Sequence, residues 1–370
     1  MTSLLRTPLY ELHVAYGAKF APFAGYEMPI QYPLGVKGEH LHTRAQAGLF
    51  DVSHMGQIRI QGLGATAALE QVVPAALQEM QPGQIRYSQL TLPNGGILDD
   101  LMLTKIAEDD WFLVVNGACK HGDLTHLQTQ LPAHLTIHYL SEQSLIAIQG
   151  PAARTALTTH IPEAARLPFM TAQPIHWRGH DMILSCCGYT GEDGFELSLP
   201  NAAVADCAAL LTDLNDTTWV GLGARNSLRL EAGLCLYGHD ISTDTTPIEA
   251  DLLWSIQPRR RAEGGFLGAD VIQRQLREGP SRKRVGIRPE DGKTPIRDDT
   301  PLLTPDGETI GHITSGGFGP TIEGPVAMGY VAAAYQSPDA QVIARVRGRS
   351  LPCRVTNAVF FPPRYRRTLA

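Results

Sequence analysis

The sequence lacks the features that define several classes of protein. None of its 370 residues belongs to an apolar run of the roughly 18–20 residues that a membrane helix needs. Its first residues contain neither the apolar core of a secretory signal nor the Arg/Ser-rich stretch of an organelle transit peptide. The six cysteines form no Cys-x-x-Cys pair. We therefore expect a soluble, cytoplasmic protein that contacts no membrane and keeps its cysteines reduced.

An excess of positive charge is also missing. Lys and Arg total 31 against 37 Asp and Glu, a net charge of −6, so the surface as a whole repels nucleic acid. The two histidines of the string His134-x-x-x-His138 lie in a strand-like segment, where residues four apart are separated by roughly 13 Å and cannot chelate one ion. The composition predicts no nucleic-acid partner and no metal site.

Length and patterning predict several domains. At roughly 150 residues per domain, 370 residues correspond to two or three. Strand-like and helix-like segments alternate along most of the chain. After about residue 280, short strands and Gly/Pro/Asp turns predict a C-terminal β-barrel or jelly roll. The helix-like segments are Ala65–Val73, Ala152–His160, Ala202–Leu211 and Ala224–Ala232.

One internal repeat is present. Ile58–Leu69 and Ile146–Leu157 are identical at seven of twelve positions, and each reads as a strand, a Gly turn and a helix. Each copy is followed by a second Gly turn and a strand that carries an acid, Asp100 in one case and Glu196 in the other. Two related α+β units would place these acids equivalently, facing one cleft. The alternative is chance similarity between short strand–turn–helix strings.

Three acids follow Gly-rich turns. Because successive strand residues point to opposite faces, only one of Asp99 and Asp100 can face a given cleft. An ordinary hairpin end is the alternative interpretation of this pair. Glu196 is a poor strand former, and if buried it needs a partner, such as a guanidinium or a planar ligand edge with two adjacent N–H donors.

Two arginines share a helix face in GLGARNSLRLEAG, because Arg225 and Arg229 are four residues apart. Arg225 lies in the first turn, where a cation opposes the helix dipole, and this disfavours a purely structural role. A solvated helix face is the alternative. Downstream, Tyr237 and Trp254 offer aromatic surfaces for core packing or for stacking a ligand.

Strings from one end of the chain to the other form an ordered set. They are TPLYELH from Thr7, Phe50–Met55, Gly95–Leu101, Gly188–Glu196, Gly221–Gly233, Leu236–Gly238, Thr314-Ser-Gly and Met328-Gly-Tyr. Together they resemble the aminomethyltransferases, or T-proteins, of the glycine cleavage system. An ordered set is far more specific than any single motif. One departure is Asn226, which stands where an Asp commonly follows the arginine.

The resemblance implies an α+β fold: a three-domain cloverleaf around a central folate-binding hole. It implies a discontinuous domain one, residues 1–55 plus 140–255, which encloses an inserted α+β unit at residues 56–139. Residues 256–280 would be a connector, and residues 281–370 the β-rich C-terminal domain. These expectations agree with the repeat and with the change of pattern near the C-terminus.

The resemblance also implies residue roles. Asp100 would be the catalytic residue, and Glu196 would hold the pterin edge of tetrahydrofolate, with Tyr189 nearby. The other residues implied for the folate site are Tyr87, Met55, Val114, Asn116, Arg225, Trp254, Arg284 and Tyr365. Arg225 and Arg284 would supply positive charge for the glutamate tail of the folate or for a carrier protein.

The implied reaction uses tetrahydrofolate as co-substrate and the lipoylated H-protein as carrier, and it requires no metal. The methylene of an S-aminomethyl-dihydrolipoyl group would pass to tetrahydrofolate, giving 5,10-methylenetetrahydrofolate, ammonia and the dihydrolipoyl carrier. An ionised Asp100, with a reference pKa of about 3.9, would stabilise cationic nitrogen species and relay a proton. The basic runs at residues 259–261 and 282–284 would dock an acidic carrier or belong to a solvated connector.

Two alternatives remain on the same fold. One is a stand-alone folate-dependent demethylase, which takes a methyl group from a small sulfur or oxygen donor. The other is a non-catalytic folate-binding regulator, which should lack the acid after the Gly-Gly turn, whereas Asp100 is present. Fold analogy alone cannot choose the substrate.

Overall fold

The computed structural model describes residues 3–368. The chain opens with a short helix, a two-stranded hairpin, a longer helix and a strand. These are α1 (Tyr10–Ala15), β1 (Lys19–Phe23), β2 (Tyr26–Gln31), α2 (Gly35–Ala45) and β3 (Ala47–Asp51). All of β3 is buried, because later parts of the chain pair with it and pack over it.

The next elements form a five-stranded antiparallel sheet in the order β5-β6-β7-β4-β8. They are β4 (Gly56–Gln61), α3 (Ala65–Leu69), β5 (Ile85–Thr91), β6 (Ile97–Ala107), β7 (Asp110–Val115), α4 (Lys120–Gln130) and β8 (Thr136–Tyr139). One apolar cluster, which includes Ile58, Leu69, Trp111 and Leu127, joins the strands to both helices. This packing, and not the short helices' own propensity, stabilises the unit.

A second sheet has six strands in the order β10-β11-β12-β9-β3-β13. Its new elements are β9 (Gln143–Gln149), α5 (Ala153–Thr158), β10 (Thr171–Trp177), β11 (His180–Cys186), β12 (Gly194–Pro200), α6 (Asn201–Thr212), β13 (Thr217–Trp219) and α7 (Leu222–Glu231). A cluster that contains Phe50 and Ala147 of this sheet also contains Phe112 and Val114 of the first. The two sheets therefore pack against each other through one shared apolar cluster, and each contains one copy of the internal repeat.

The C-terminal part is a closed barrel in the order β14-β17-β16-β15-β18-β19. Two helices precede it, and its interior is filled by residues such as Ile287, Ile313 and Val342. The elements are α8 (Pro258–Glu263), α9 (Ala269–Glu278), β14 (Arg282–Pro289), β15 (Pro301–Leu303), β16 (Thr309–Gly319), β17 (Gly324–Ala332), β18 (Gln341–Val346) and β19 (Arg349–Thr356).

A buried ionic network joins α2 and α7 to the barrel. Glu231 accepts hydrogen bonds from Arg44 (3.1 Å) and from the backbone N–H of Thr321 (2.8 Å), and it contacts the ring of His40 at 3.1 Å. Burial alone would raise the pKa of Glu231, but these partners outweigh it and lower the pKa to about 2. The carboxylate is therefore ionised and fully partnered at the junction of three elements.

The structure confirms the α+β class and resolves the C-terminal part as a barrel. Both repeat copies form a strand, a turn and a short helix, with Gly62 and Gly150 at φ of +131° and +133°. The helix predicted at Ala65–Val73 is shorter in the structure and ends at Leu69. Pro74 disfavours helical geometry at Val73, the last residue of the predicted range. The domain boundaries stay predictions. Across residues 3–368, every helix is too short or too polar to cross a membrane.

Candidate active site

A tight turn fixes the start of β6. Asn94 Oδ1 accepts a 3.0 Å hydrogen bond from the Gly96 N–H, and the Ile97 N–H donates to the carbonyls of Ser242 and Thr245. A Cβ on Gly96 would lie 1.9 Å from the Thr243 carbonyl oxygen, so no larger residue fits without a backbone shift. The turn is held against the segment that follows α7, and it sets where the next acids lie.

Asp100 lies on β6 opposite Gln89 of β5. Its carboxyl accepts a 3.0 Å hydrogen bond from the Tyr87 hydroxyl and a 2.7 Å hydrogen bond from Asn116 Nδ2. Burial, and then the charge of Asp99, raise the pKa of Asp100 to about 7 in spite of these bonds. The pKa of this carboxyl therefore lies well above the aspartate reference value of about 3.9. Asp100 changes charge near neutral pH, where an acid–base catalyst is most effective.

Asp99 is fully buried on the other face of β6. It accepts hydrogen bonds from the Asn116 N–H (3.0 Å) and from Asn116 Nδ2 (2.9 Å). The same Nδ2 also reaches Asp100, so one amide contacts both carboxyls although they leave the strand in opposite directions. Cys119 and Asp123, from the start of α4, lie next to the Asp99 carboxyl.

Glu196 lies on β12 between Ser185 of β11 and Ala147 of β9, and only 9% of it is exposed. The Cys187 thiol donates to Glu196 Oε2 over 3.5 Å. Burial raises the pKa of Glu196, while the nearby charge of Arg225 and the Cys187 hydrogen bond lower it. A buried acid whose nearby cation makes no hydrogen bond to it is well placed to accept N–H donors from a ligand.

Arg225, in the first turn of α7, stacks over the Tyr189 ring at 4.8 Å. Its Nη1 is buried and has no hydrogen-bond partner among residues 3–368. The Tyr189 hydroxyl donates to the Cys235 carbonyl, and the charges of both Asp100 and Arg225 act on Tyr189. The Tyr189 side chain is therefore near both the acid on β6 and the arginine on α7. An unsatisfied buried guanidinium N–H suits an anionic or carbonyl group of a ligand.

An aromatic and apolar surface lies beside Asp100. Trp254 is 61% exposed and stacks on the Tyr87 ring, with centroids 5.3 Å apart and planes tilted by 21°. Val114 and the partly buried Met55 belong to the cluster that joins the two sheets. An exposed tryptophan stacked on a tyrosine can extend its stack onto a flat ring.

Two residues predicted for the folate site lie in different surroundings. Arg284 on β14 is buried, and it donates to the carbonyls of Ala250 (2.9 Å) and Gly233 (3.2 Å). Tyr365 stacks on Phe169, with centroids 3.8 Å apart. The Arg284 guanidinium is therefore engaged by the protein's own carbonyls. In residues 3–368, the ring that stacks on Tyr365 is that of Phe169.

The two basic runs are engaged within the protein. Arg259 pairs with three glutamates, and the other arginines of residues 259–261 donate to backbone carbonyls. In the run at residues 282–284, Arg282 donates to the Asp244 carbonyl, and Lys283 pairs with Asp251 at 2.9 Å. Much of this charge is therefore paired within the protein, and both interpretations of the runs, carrier docking and a solvated connector, stay predictions.

Two family models match the chain. The GCVT N-terminal domain matches residues 9–260, and the glycine cleavage T-protein C-terminal barrel domain matches residues 282–362. The chain belongs to the aminomethyltransferase (T-protein) family of the glycine cleavage system. It is 42% identical to the mitochondrial aminomethyltransferase of Dictyostelium discoideum, over 98% of this chain and 94% of that one. It is 40% identical to the mitochondrial enzyme of Pisum sativum, over 98% and 91%.

A solved structure of this family is also similar. The crystal structure of the glycine cleavage system aminomethyltransferase T from Bartonella henselae matches with a TM-score of 0.91 and 43% identity, over 98% of this chain and 99% of that one. The T-protein fold predicted from the motifs is confirmed. The activity of the family, aminomethyl transfer, is the activity of this chain. The plant and Dictyostelium relatives are mitochondrial by name, so the cytoplasmic location stays a prediction.

Sequence reasoning missed three residues that the structure brings to the acids. Asp123 and Cys119 contact Asp99, and Cys187 contacts Glu196. The only sequence signal for the first two was an acid and a thiol four residues apart at a helix start, a spacing that puts both on one face. Within residues 3–368, no group of three or more His, Cys, Asp or Glu is arranged to hold a metal ion.

Proposed function

We propose that this T-protein moves the methylene carbon of an S-aminomethyl-dihydrolipoyl group, carried by the H-protein, to tetrahydrofolate. N5 of tetrahydrofolate attacks the methylene and displaces the lipoyl sulfur, and N10 then closes the ring as ammonia leaves. The two N–H protons of tetrahydrofolate end on the lipoyl thiol and on ammonia. The products are 5,10-methylenetetrahydrofolate, ammonia and the dihydrolipoyl carrier.

The environment of Asp100 is the observation that carries this proposal. Both steps pass through cationic nitrogen, which an ionised carboxylate stabilises in a buried site. Because its pKa is about 7, Asp100 can also accept a proton from one nitrogen and return it to another at neutral pH. Tyr87 and Asn116 hold the carboxyl in place through hydrogen bonds of 3.0 and 2.7 Å.

The other half of the site supports a flat, polar co-substrate. Glu196 would accept N–H donors from the pterin edge, and Arg225 Nη1 would donate to an oxygen of the folate. Tyr189 and the exposed Trp254 would pack against ring faces. Much of the rate would come from holding the folate and the lipoyl arm together. The relatives' aminomethyltransferase names do not favour the small-molecule demethylase.

The test is single-turnover ammonia release from aminomethyl-loaded H-protein, with and without tetrahydrofolate. We expect release to depend on the folate and to fall at least a hundredfold in Asp100→Asn, since general acid–base catalysis contributes roughly 10²–10⁴ in rate. Asp306→Asn, in an exposed turn of the barrel, is the matched control and should retain the wild-type rate. Full turnover by Asp100→Asn would remove Asp100 from the reaction. Folate binding without ammonia release in the wild type would point to the demethylase.

A further inference from the structure

Asp123 is a buried acid that the proposed reaction does not use. It lies in the first turn of α4, and its side chain is almost completely removed from solvent. Neither of its carboxyl oxygens receives a hydrogen bond from an amide, a hydroxyl or a cation of residues 3–368. A buried carboxylate with no donor is unstable, so this carboxyl needs a different explanation.

The Asp123 carboxyl lies beside the carboxyl of Asp99, close enough for a hydrogen bond between the two. Two carboxyl groups can share a hydrogen bond only if one of them carries a proton. Asp99 already accepts two hydrogen bonds from Asn116 and interacts with the Cys119 thiol, all of which stabilise a negative charge. Asp123 has no such donors. The proton therefore belongs on Asp123, and the charge on Asp99.

The other groups around the pair do not supply a counter-charge. Asp100 on β6, Cys119 before α4 and Tyr237 after α7 are the further titratable groups that interact with these two acids. Lys120, on the same helix turn as Asp123, points away and donates to the Tyr26 hydroxyl (2.9 Å) and the His54 carbonyl (3.1 Å). A second negative charge at Asp123 would face acids only, and this again favours the protonated form.

We propose that Asp123 remains protonated at neutral pH and acts as a positioning residue for Asp100. Its O–H donates to Asp99, and Asp99 in turn holds the Asn116 backbone N–H and side-chain amide. That amide then donates to Asp100. The inference rests on the proposed role of Asp100, because without it the chain of hydrogen bonds would position nothing.

Infrared spectroscopy of the ligand-free protein tests the proton directly. With ¹³C-aspartate labelling, protonated aspartates are separated from the buried glutamates by their shifted carbonyl band. We expect a protonated-aspartate band that persists at pH 8.5, where Asp100 is mostly ionised. The band should remain in Asp100→Asn and disappear in Asp123→Asn. Its absence from the wild type at pH 8.5, or its full retention in Asp123→Asn, would overturn the proposal.

Turnover tests the positioning role. Asp123→Asn keeps an N–H donor toward Asp99, so we expect ammonia release within about twofold of wild type, with an unchanged pH midpoint. Asp123→Leu has similar bulk but no donor, and we expect at least a tenfold fall in kcat with an unaltered KM for tetrahydrofolate. Equal rates in the Asn and Leu variants would refute the role. If the wild type itself releases no ammonia, the proposed function fails, but the infrared result still decides whether Asp123 is protonated. The infrared result also decides this if Asp123→Leu does not fold.

Discussion

The Tyr87 hydroxyl donates a 3.0 Å hydrogen bond to Asp100 Oδ2 from the strand paired with β6. The ring of the same tyrosine stacks on Trp254, which is the most exposed aromatic side chain of the site. Tyr87 therefore connects the acid to the aromatic surface, and a change at this hydroxyl reports on the acid without removing the ring stack.

Tyr87→Phe should move the pH dependence of the enzyme. The hydroxyl lowers the pKa of Asp100, so its removal raises that pKa above the wild-type value of about 7. If the ionised form is active, activity is lost as pH falls through the pKa, and the midpoint of the pH–rate profile should rise by about one unit, or ~1.4 kcal/mol. Ammonia release from pH 5.5 to 9.5 measures it, with the exposed Tyr16→Phe as control. A midpoint that stays or falls would contradict the assignment.

Arg225→Lys should weaken tetrahydrofolate binding. Lysine cannot present the planar donor fork whose Nη1 is unpartnered in residues 3–368. Loss of one charged hydrogen bond of about 1.5–3 kcal/mol corresponds to a Kd raised roughly 10- to 150-fold. Fluorescence titration with tetrahydrofolate measures the Kd. Arg274→Lys, on the exposed face of α9, should bind like wild type, and equal affinities in the two variants would exclude Arg225 from the folate contact.

Glu231→Gln should destabilise the protein in a pH-dependent way. Breaking a buried ionic network costs about 3–5 kcal/mol. Because Arg44 loses one of its two carboxylate partners and keeps Glu192, we expect the lower end of this range. The folded pKa of about 2 lies below the unfolded value, so the stabilisation is present above the unfolded pKa and is lost as pH falls toward 2. Urea unfolding should show a difference in unfolding free energy between wild type and Glu231→Gln that is smaller at pH 3 than at pH 7. Glu278→Gln, at the exposed end of α9, should unfold with the same free energy as wild type at both pH values. If the destabilisation by Glu231→Gln did not depend on pH, its origin would not be ionic.

Gly96→Ala and Gly122→Ala should change stability in opposite directions. A Cβ at Gly96 meets the Thr243 carbonyl oxygen, so we expect a loss of about 1–3 kcal/mol and a slower enzyme as the start of β6 shifts. A Cβ at Gly122, on the exposed side of α4, meets nothing within 4 Å, and alanine there should add about 0.5–1 kcal/mol of helix stability. Urea unfolding compares them. If Gly96→Ala were as stable as the wild type, the turn would be able to shift and make room for the added Cβ.

Sequence patterns predicted those parts of the fold that depend on residues close to one another in the chain. The two repeat copies were visible because each needs a glycine at positive φ, which the structure has at Gly62 and Gly150. The opposite orientation of Asp99 and Asp100 followed from strand geometry alone. The roles assigned to the site residues came from a resemblance to the family and stay predictions.

Features set by distant contacts were beyond pattern reasoning. The pKa of Asp100 depends on burial and on the charge of Asp99, and neither is visible before the sheet is assembled. The contact between Asp99 and Asp123 depends on how α4 packs on the sheet. The structural use of Arg284 depends on carbonyls of Gly233 and Ala250, more than thirty residues away. Tertiary contacts of this kind decide which charged residues remain free for a ligand.

The interrupted second sheet has a consequence for the growing chain on the ribosome. β3 is fully buried in the finished protein, but its antiparallel partner β9 begins only at Gln143. At ~5–20 residues per second, the roughly 90 residues between them take about 5–20 s to synthesise. During that interval β3 has no partner strand, while the five-stranded sheet encoded between β3 and β9 can already fold. Residues 47–51 therefore stay unpaired on the nascent chain until β9 and β13, their two partner strands, have been synthesised.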